Sequence, residues 1–251
     1  MQLQHKRTRL LLILSAIFIT SAITAELISA KLIQVPLDLG FINLGTYVAI
    51  IGILPWPVVF LTTDIVNEFY GRKVVRWLSV LTSCMIAYSF VIVYLGMQPK
   101  AFTGSPEAPI PGVADDATFN LVFGQSLWII IGSITAFFIS QLIDSVMFWF
   151  IRERTGGRFI WLRSTGSTVI SQLIDSFVVL YIGFVVPGKF THAQWWESGW
   201  LNYVLKLVIA LGLTPLIYLF HYLVKKYLGK EDAEQQIRHT AEESLKHEVA
   251  D

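Results

Sequence analysis

The chain has 251 residues, 54% of them hydrophobic and only 15% charged, with a mean hydropathy of +0.60. Soluble domains carry about 25% charged residues, so an ordinary soluble domain is excluded and a polytopic membrane protein is indicated. The net charge of +1 gives no sign of a nucleic-acid partner.

Six stretches come close to the roughly 20 apolar residues that a membrane-spanning helix needs: 10–30, 46–69, 75–96, 126–150, 165–186 and 201–224. The first has HKRTR before it and ITSAITAE behind, as a signal peptide would. Its apolar run exceeds the usual 7–15 residues of a signal core, so it is read as a retained helix. The second contains LPWPVVF. Pro55 and Pro57 lack an amide proton and interrupt the helical ladder, either as a simple kink or as a broken helix framing a cavity. The third carries Cys84, which as the one cysteine cannot form an intrachain disulfide and is read as a small buried hydrophobe. Residues 97–124, rich in Pro and Gly, form a long connection. Residues 187–200 hold Trp195, Trp196 and Trp200 and suit the headgroup belt. The segment 229–251 is a charged tail, a solvated helix or partly disordered, with no chemistry assigned.

Lys and Arg set the orientation. Fifteen of the 19 fall at the N-terminus, in two connections (Arg72, Lys73, Arg76; Arg152, Arg154, Arg158, Arg163) and in the tail. The other side has Lys31, Lys100 and Lys189. Both termini are therefore expected in the cytoplasm.

Glu26, Asp64, Glu68, Asp144, Asp175 and Lys206 fall within the spans or at their ends. A charge at the bilayer centre costs at least ~2.5–3.5 kcal/mol, so each needs a partner or a wet cavity. Glu26 and Lys206 lie toward the outer end and are a candidate pair. Asp64 and Glu68, at i and i+4, share a helix face near the cytoplasm, where an ion network and a binding role are both open.

SQLIDS occurs twice, at 140–145 and 171–176. Each copy puts a Gln, an Asp and a Ser (Gln141, Asp144, Ser145; Gln172, Asp175, Ser176) on one helical face at i, i+3 and i+4. The copies either hydrogen-bond to one another or grip a ligand from two antiparallel helices. Two like charges at close range favour a cationic or donor-rich ligand. A carboxylate can take two parallel hydrogen bonds from a guanine-type edge, and aromatic residues supply stacking faces. An amine, a vitamin or a peptide would fit these groups equally. A desolvated carboxylate at that depth is also a candidate proton carrier.

TTDIVNEFYGRKVVR at 62–76, FNLVFGQS at 119–126, the paired SQLIDS, WLRSTGST at 161–168 and NYVLKLVIA at 202–210 together resemble the queuosine precursor transporter (VUT) family over roughly 15–225. The resemblance implies an all-α transporter domain over 1–228, with six transmembrane helices and the fold of energy-coupling-factor substrate-binding subunits, followed by the cytoplasmic tail. It implies an importer in the bacterial cell inner membrane for 7-deazaguanines such as preQ0, preQ1 or queuine, which serve tRNA modification. On this view Gln141, Asp144, Gln172 and Asp175 bind the solute, with Asn202, Tyr203, Lys206 and Asn120 behind them. Glu26, Asp64, Asn67, Glu68, Ser167 and Thr168 are gating or structural polar groups. The alternative is a binding subunit for a vitamin-like solute that needs a separate energising module. Homo-oligomerisation is left open.

An enzyme is not expected. Intramembrane aspartyl proteases need a GxGD-type sequence that neither SQLIDS copy has. The histidines (His5, His192, His221, His239, His247) form no HExxH pair, and GxxxxGK[ST] is absent. No metal or other cofactor is expected.

Overall fold

The computed structural model describes residues 2–29, 31–38, 43–105, 108–124, 127–155, 160–212 and 214–248. Arg158 and Ser126, used above for charge and span limits, lie outside them. Helix α1 (Gln2–Ile28) leads into a hairpin of strands β1 (Leu32–Asp38) and β2 (Asn43–Ile50). A 3-10 turn at Ile51–Ile53 precedes α2 (Trp56–Tyr70) and α3 (Arg72–Gly96). The two-residue strands β3 (Gly104–Ser105) and β4 (Ala108–Pro109) and helix α4 (Asp116–Phe123) make up the long connection. Then come α5 (Leu127–Thr155), α6 (Ile160–Leu180) with a π-helical turn at Tyr181–Val185, α7 (His192–Gly212), α8 (Thr214–Leu228) and α9 (Lys230–Glu248). Among the described residues, four helical stretches are long and apolar enough to cross a membrane: Gln4–Ile28, Arg72–Gly96, Asp116–Thr155 and Leu162–Val185.

The second expected span, 46–69, is shorter than expected. Its first residues belong to β2, paired antiparallel with β1 from Leu32↔Ile50 to Asp38↔Asn43. The prolines explain the boundary: Pro55 caps α2 and Pro57 falls in its first turn, where a missing amide costs no hydrogen bond. The 15 residues of α2 rise only about 22 Å. The sixth expected span, 201–224, is divided between α7 and α8. Pro215, in the first turn of α8, suits a helix start for the same reason.

Short as it is, α2 is the centre of the bundle. Every residue from Leu61 to Phe69 is buried. The helix packs against α1, α3, α5, α8 and α9, and Val59, Ile65, Val66 and Phe69 join Phe18, Leu78 and Phe137 in the core. Helix α3 buries one stripe (Val75, Leu78, Ser79, Thr82, Ile86 and Phe90) at helical spacing. Cys84 falls off that stripe, so it is exposed at the helix surface and not buried as expected.

Both terminal helices meet at one end of the bundle, hereafter the basic end. Tyr70 Oη donates to the Arg7 carbonyl at 2.8 Å, and Arg152 Nη2 to the Ile237 carbonyl at 3.1 Å. The tail is a helix that docks by one face, with Glu231, Gln235, Arg238 and His239 exposed on the other. Ala233 is fully buried, and Gln236 Nε2 and Thr240 Oγ1 donate to the Phe69 carbonyl at 3.0 and 3.3 Å. The last carbonyls of α2 lack intrahelical partners, and α9 supplies donors to one of them. Gly71, at φ +86°, makes the tight turn into α3 that a side chain would strain.

Helices α5 and α6 form the most intimate pair, through small residues. A Cβ on Gly132 would sit 3.0 Å from the Gly183 nitrogen and 3.1 Å from the Val179 carbonyl. Gly132→Ala is therefore expected to force these backbones apart and lose about 1–3 kcal/mol, seen as a lower midpoint of thermal unfolding in detergent. Gly96→Ala, with open space around it, is the control and should not lower the midpoint.

Candidate functional site

Two small chambers lie side by side along α2, α6 and α7. The one nearer the basic end has a volume of about 30 Å³ and is walled by Trp56, Phe60, Asp64, Ser164, Thr165 and Thr168, with Ile209 and Ile217. The other has about 90 Å³ and is lined by Glu26, Ser133, Asp175 and Asn202. Ile53, Trp56 and Lys206 border both. Both are smaller than the about 300–1,000 Å³ typical of small-molecule sites, so a solute enters only if these walls part.

The start of α2 shapes this space. Trp56, Phe60 and Asp64 recur every four residues and so form a stripe along the cavity wall. The Trp56 and Phe60 rings stack with centroids 5.9 Å apart and 22° between planes. On α7, Asn202 and Lys206 are likewise one turn apart.

The two SQLIDS copies do not converge as a matched pair. Asp175 forms an ion pair with Lys206 and faces the chamber away from the basic end. Asp144, only 1% exposed, instead accepts from Ser171 Oγ at 3.1 Å and Thr168 Oγ1 at 3.4 Å, with Ser167 also in reach. Gln141 Oε1 accepts from Thr63 Oγ1 at 3.2 Å. Asp144, Gln141 and Gln172 are not among the residues lining the two chambers. Asp144 thus lies level with residues 168–171 of α6, whereas Asp175 lies about one turn, roughly 6 Å, farther along.

Gln172 is the side chain most short of partners. It is 2% exposed, and neither its amide nitrogen nor its amide oxygen has a hydrogen-bond partner. Its register (168, 172, 175, 179) places it between Thr168 of one chamber and Asp175 and Val179 of the other. Buried polar groups are nearly always paired, so such a group invites a ligand or a water.

Lys206 reaches Asp175 and not Glu26, its expected partner. Glu26 Oε1 accepts from Ser133 Oγ at 2.5 Å and feels the charges of both Asp175 and Lys206. The TTDIVNE segment divides by role. Asp64 accepts from Ser164 Oγ within the cavity wall, and its other oxygen has no hydrogen-bond partner. Asn67 Oδ1 accepts from Trp149 Nε1 at 2.8 Å. Glu68 lies 2.6 Å from Arg163 and 4.0 Å from Arg152, whose guanidinium stacks 4.4 Å from the Trp149 ring. These last contacts form a buried ion network beneath the cavity.

Other candidates lie elsewhere. Tyr203 packs edge-on to Trp200, 5.8 Å between centroids, at the margin of a cluster with Phe177, Trp195 and Trp196. Asn120 is exposed on α4. Ser167 is fully buried and donates to the Ser164 carbonyl at 3.0 Å. Sequence reasoning did not single out Trp56, Phe60, Ser133 or Ser164. LPWPVVF and WLRSTGST were the available signals for three of these; Ser133 had none. Among the described residues no group of three His, Cys, Asp or Glu is placed to hold a metal.

A multi-pass helical bundle with buried acids, a lysine and aromatic rings gathered around internal chambers has the make-up of a membrane transport protein. The chain belongs to the family described as "Putative vitamin uptake transporter", which matches residues 50–220. It is similar to a "Probable queuosine precursor transporter" of Bacillus subtilis (strain 168), 29% identical over 73% of this chain and 75% of the relative. It is also similar to a protein of the same name from Haemophilus influenzae (strain ATCC 51907 / DSM 11121 / KW20 / Rd), 24% identical over 86% of each. No solved structure matches the chain.

Breaking a buried ion pair from one side leaves an uncompensated charge, at about 3–5 kcal/mol. Arg163→Met should accordingly lower the unfolding midpoint in detergent well below that of the Glu68→Leu, Arg163→Met double variant. A double variant no more stable than the single would show that Glu68 and Arg163 do not act as a pair.

Proposed function

We propose that the chain is a cell inner-membrane importer of queuosine precursors, flat 7-deazaguanine bases taken up for tRNA modification. The supporting observation is Trp56, which borders both chambers, stacking on Phe60 beside Asp64 in one and meeting the carboxylates of Glu26 and Asp175 in the other. The names borne by both relatives agree with it. A guanine-type edge offers a ring N–H and an exocyclic amine side by side, which one carboxylate accepts together. Asp175 has that geometry to offer once the Lys206 ammonium gives way. Gln172 and Asn202 can donate to the base carbonyl, and aromatic faces can cover the ring.

In this reading α1, α2, α3, α5, α6 and α7 with α8 are the six spans, and the basic end faces the cytoplasm. Fifteen of 19 Lys and Arg residues support that orientation. The bundle is taken as kin to the substrate-binding subunits of energy-coupling-factor transporters. Uptake by the purified chain in liposomes separates a self-sufficient importer from a subunit that needs an energising module.

The deciding experiment is queuosine in tRNA. A host lacking precursor synthesis and its own importer carries this gene and is fed a low level of 7-deazaguanine base. Modification is expected to return, and Asp175→Asn is expected to reduce it at least tenfold with the protein still in the membrane. Well-expressed protein that restores nothing with any of the bases would overturn the reading.

A further inference from the structure

We propose that Lys206 is a switch with two seats: it leaves Asp175 for Asp64 when solute enters, so Asp64 is the residue that frees Asp175 to bind. The inference deepens the function proposed above, and only its consequence for uptake rests on that reading.

In the structure the Lys206 ammonium sits on Asp175, in the chamber that Glu26 and Asn202 also line. While it sits there, the carboxylate that a solute would need is occupied. Releasing an ammonium into lipid is strongly unfavourable. A lysine that vacates Asp175 therefore has to be received inside the bundle. Glu26 shares the chamber with Asp175, so a move onto Glu26 would leave the ammonium where the solute must bind.

The register of α7 against α6 points to the other chamber. Asn202 shares one chamber with Asp175 and Val179, and Ile209 shares the other with Thr165 and Thr168. Lys206 borders both and starts about midway between them, on a flexible four-carbon stem. Asp175 is at one limit of its swing. Asp64 is at the other, set at the level of residues 164–168 by its bond from Ser164 and by the wall it shares with Thr168. Both acids lie within about 8 Å of the lysine's level along the bundle.

This second seat is short of a cation. Asp64 is 5% exposed, takes a neutral hydroxyl from Ser164 on one oxygen and has no hydrogen-bond partner on the other. The charges of Asp144 and Arg163 both act on it, but the guanidinium is held by Glu68 at 2.6 Å. A buried carboxylate with a second acid beside it and an open oxygen favours a cationic donor. The chamber of about 30 Å³ is too small for a base, yet it exceeds the ~10–15 Å³ that a water-sized group needs, and an ammonium is of that size. Thr165 and Thr168 line it with hydroxyl oxygens that can accept further N–H bonds.

The test is a double-mutant cycle on the full-length protein in detergent, read as the midpoint of thermal unfolding. Asp175→Asn alone is expected to lower the midpoint little, because Lys206 passes to Asp64. In the Asp64→Asn background the same change should lower it at least about twice as far. Lys206→Met should abolish that difference, which a merely structural role of Asp64 would leave in place. An Asp175→Asn effect that is equal in both backgrounds, or that depends on Glu26→Gln instead, would overturn the exchange. Uptake keeps the test available should the double variant fail to fold. In the host described above, Asp64→Asn is expected to lower the maximal uptake rate of labelled 7-cyano-7-deazaguanine at least about tenfold, with the half-saturating concentration within about threefold. A raised half-saturating concentration at an unchanged maximal rate would place Asp64 in solute binding and overturn the exchange. No uptake of any 7-deazaguanine base by the unaltered protein would remove the importer reading, and the cycle would still decide whether Lys206 has two seats.

Discussion

Every acid that the helices carry into this bundle has to find a donor inside it, because lipid supplies none. The arrangement of the chain follows from how each acid meets that demand. Glu68 takes Arg163, Asp175 takes Lys206, Asp64 takes Ser164, Asp144 takes Ser171 and Glu26 takes Ser133. None of these bonds is local. Each joins two different helices, so the acids act as ties between α1 and α5, α2 and α6, α5 and α6, and α6 and α7. This accounts for the position of α2. A helix with Asp64, Asn67 and Glu68 within two turns cannot face lipid, and it is buried along most of its length.

The same demand explains the composition of α6. Ser164, Ser167, Thr168 and Ser171 are small, so neighbouring helices approach closely. They are also donors, so Asp64 of α2 and Asp144 of α5 are met by hydroxyls of α6. A leucine at Ser164 would fill space and take from Asp64 its hydroxyl donor. Cavity and scaffold are therefore not separable here. Ser164 and Thr168 both line the open chamber and bind acids in its wall.

The repeated SQLIDS face was legible in the sequence, because side chains at i, i+3 and i+4 must share a helix face, and all six of those side chains are buried. The split between the copies was not legible. It depends on the relative depth of α5 and α6, which residue counts from Arg152 and Arg163 give only to within about a turn. One turn decides whether Asp144 meets Asp175 or the hydroxyls of Thr168 and Ser171. Lys206 was assigned to Glu26 for the same reason: both lie near one end, but one turn of α7 brings the lysine to Asp175. The start of α2 could be read from Pro55 and Pro57. The hairpin before it was hidden, because an apolar strand and an apolar helix look alike over eight residues. Docking of α9 was also hidden. A Glu-rich segment gives no apolar stripe to read, and its hold on Phe69 and Arg152 runs through the α2 and α9 carbonyls, which no side-chain pattern records.

The two ends of the cavity differ in how they are closed. Toward the basic end the floor beneath Asp64 is charged, cross-linked and buried. Arg152 bonds to α9, Arg163 bonds to Glu68, and Trp149 bonds to Asn67. At the other end the closure is a tight approach of the chain before α2: a Cβ on Gly52 would run into the Ala25 carbonyl at 2.4 Å. Opening the basic end breaks the Arg163–Glu68 ion pair and lifts α9 from Arg152. Because Asp64 and Glu68 lie one turn apart on α2, the cavity wall and the floor network are parts of one rigid segment. Whatever draws on the charge of Asp64 therefore acts one helical turn from the pair that holds the basic end shut. In this bundle one short helix carries both Asp64, which faces the cavity, and Asn67 and Glu68, which belong to the network that seals it.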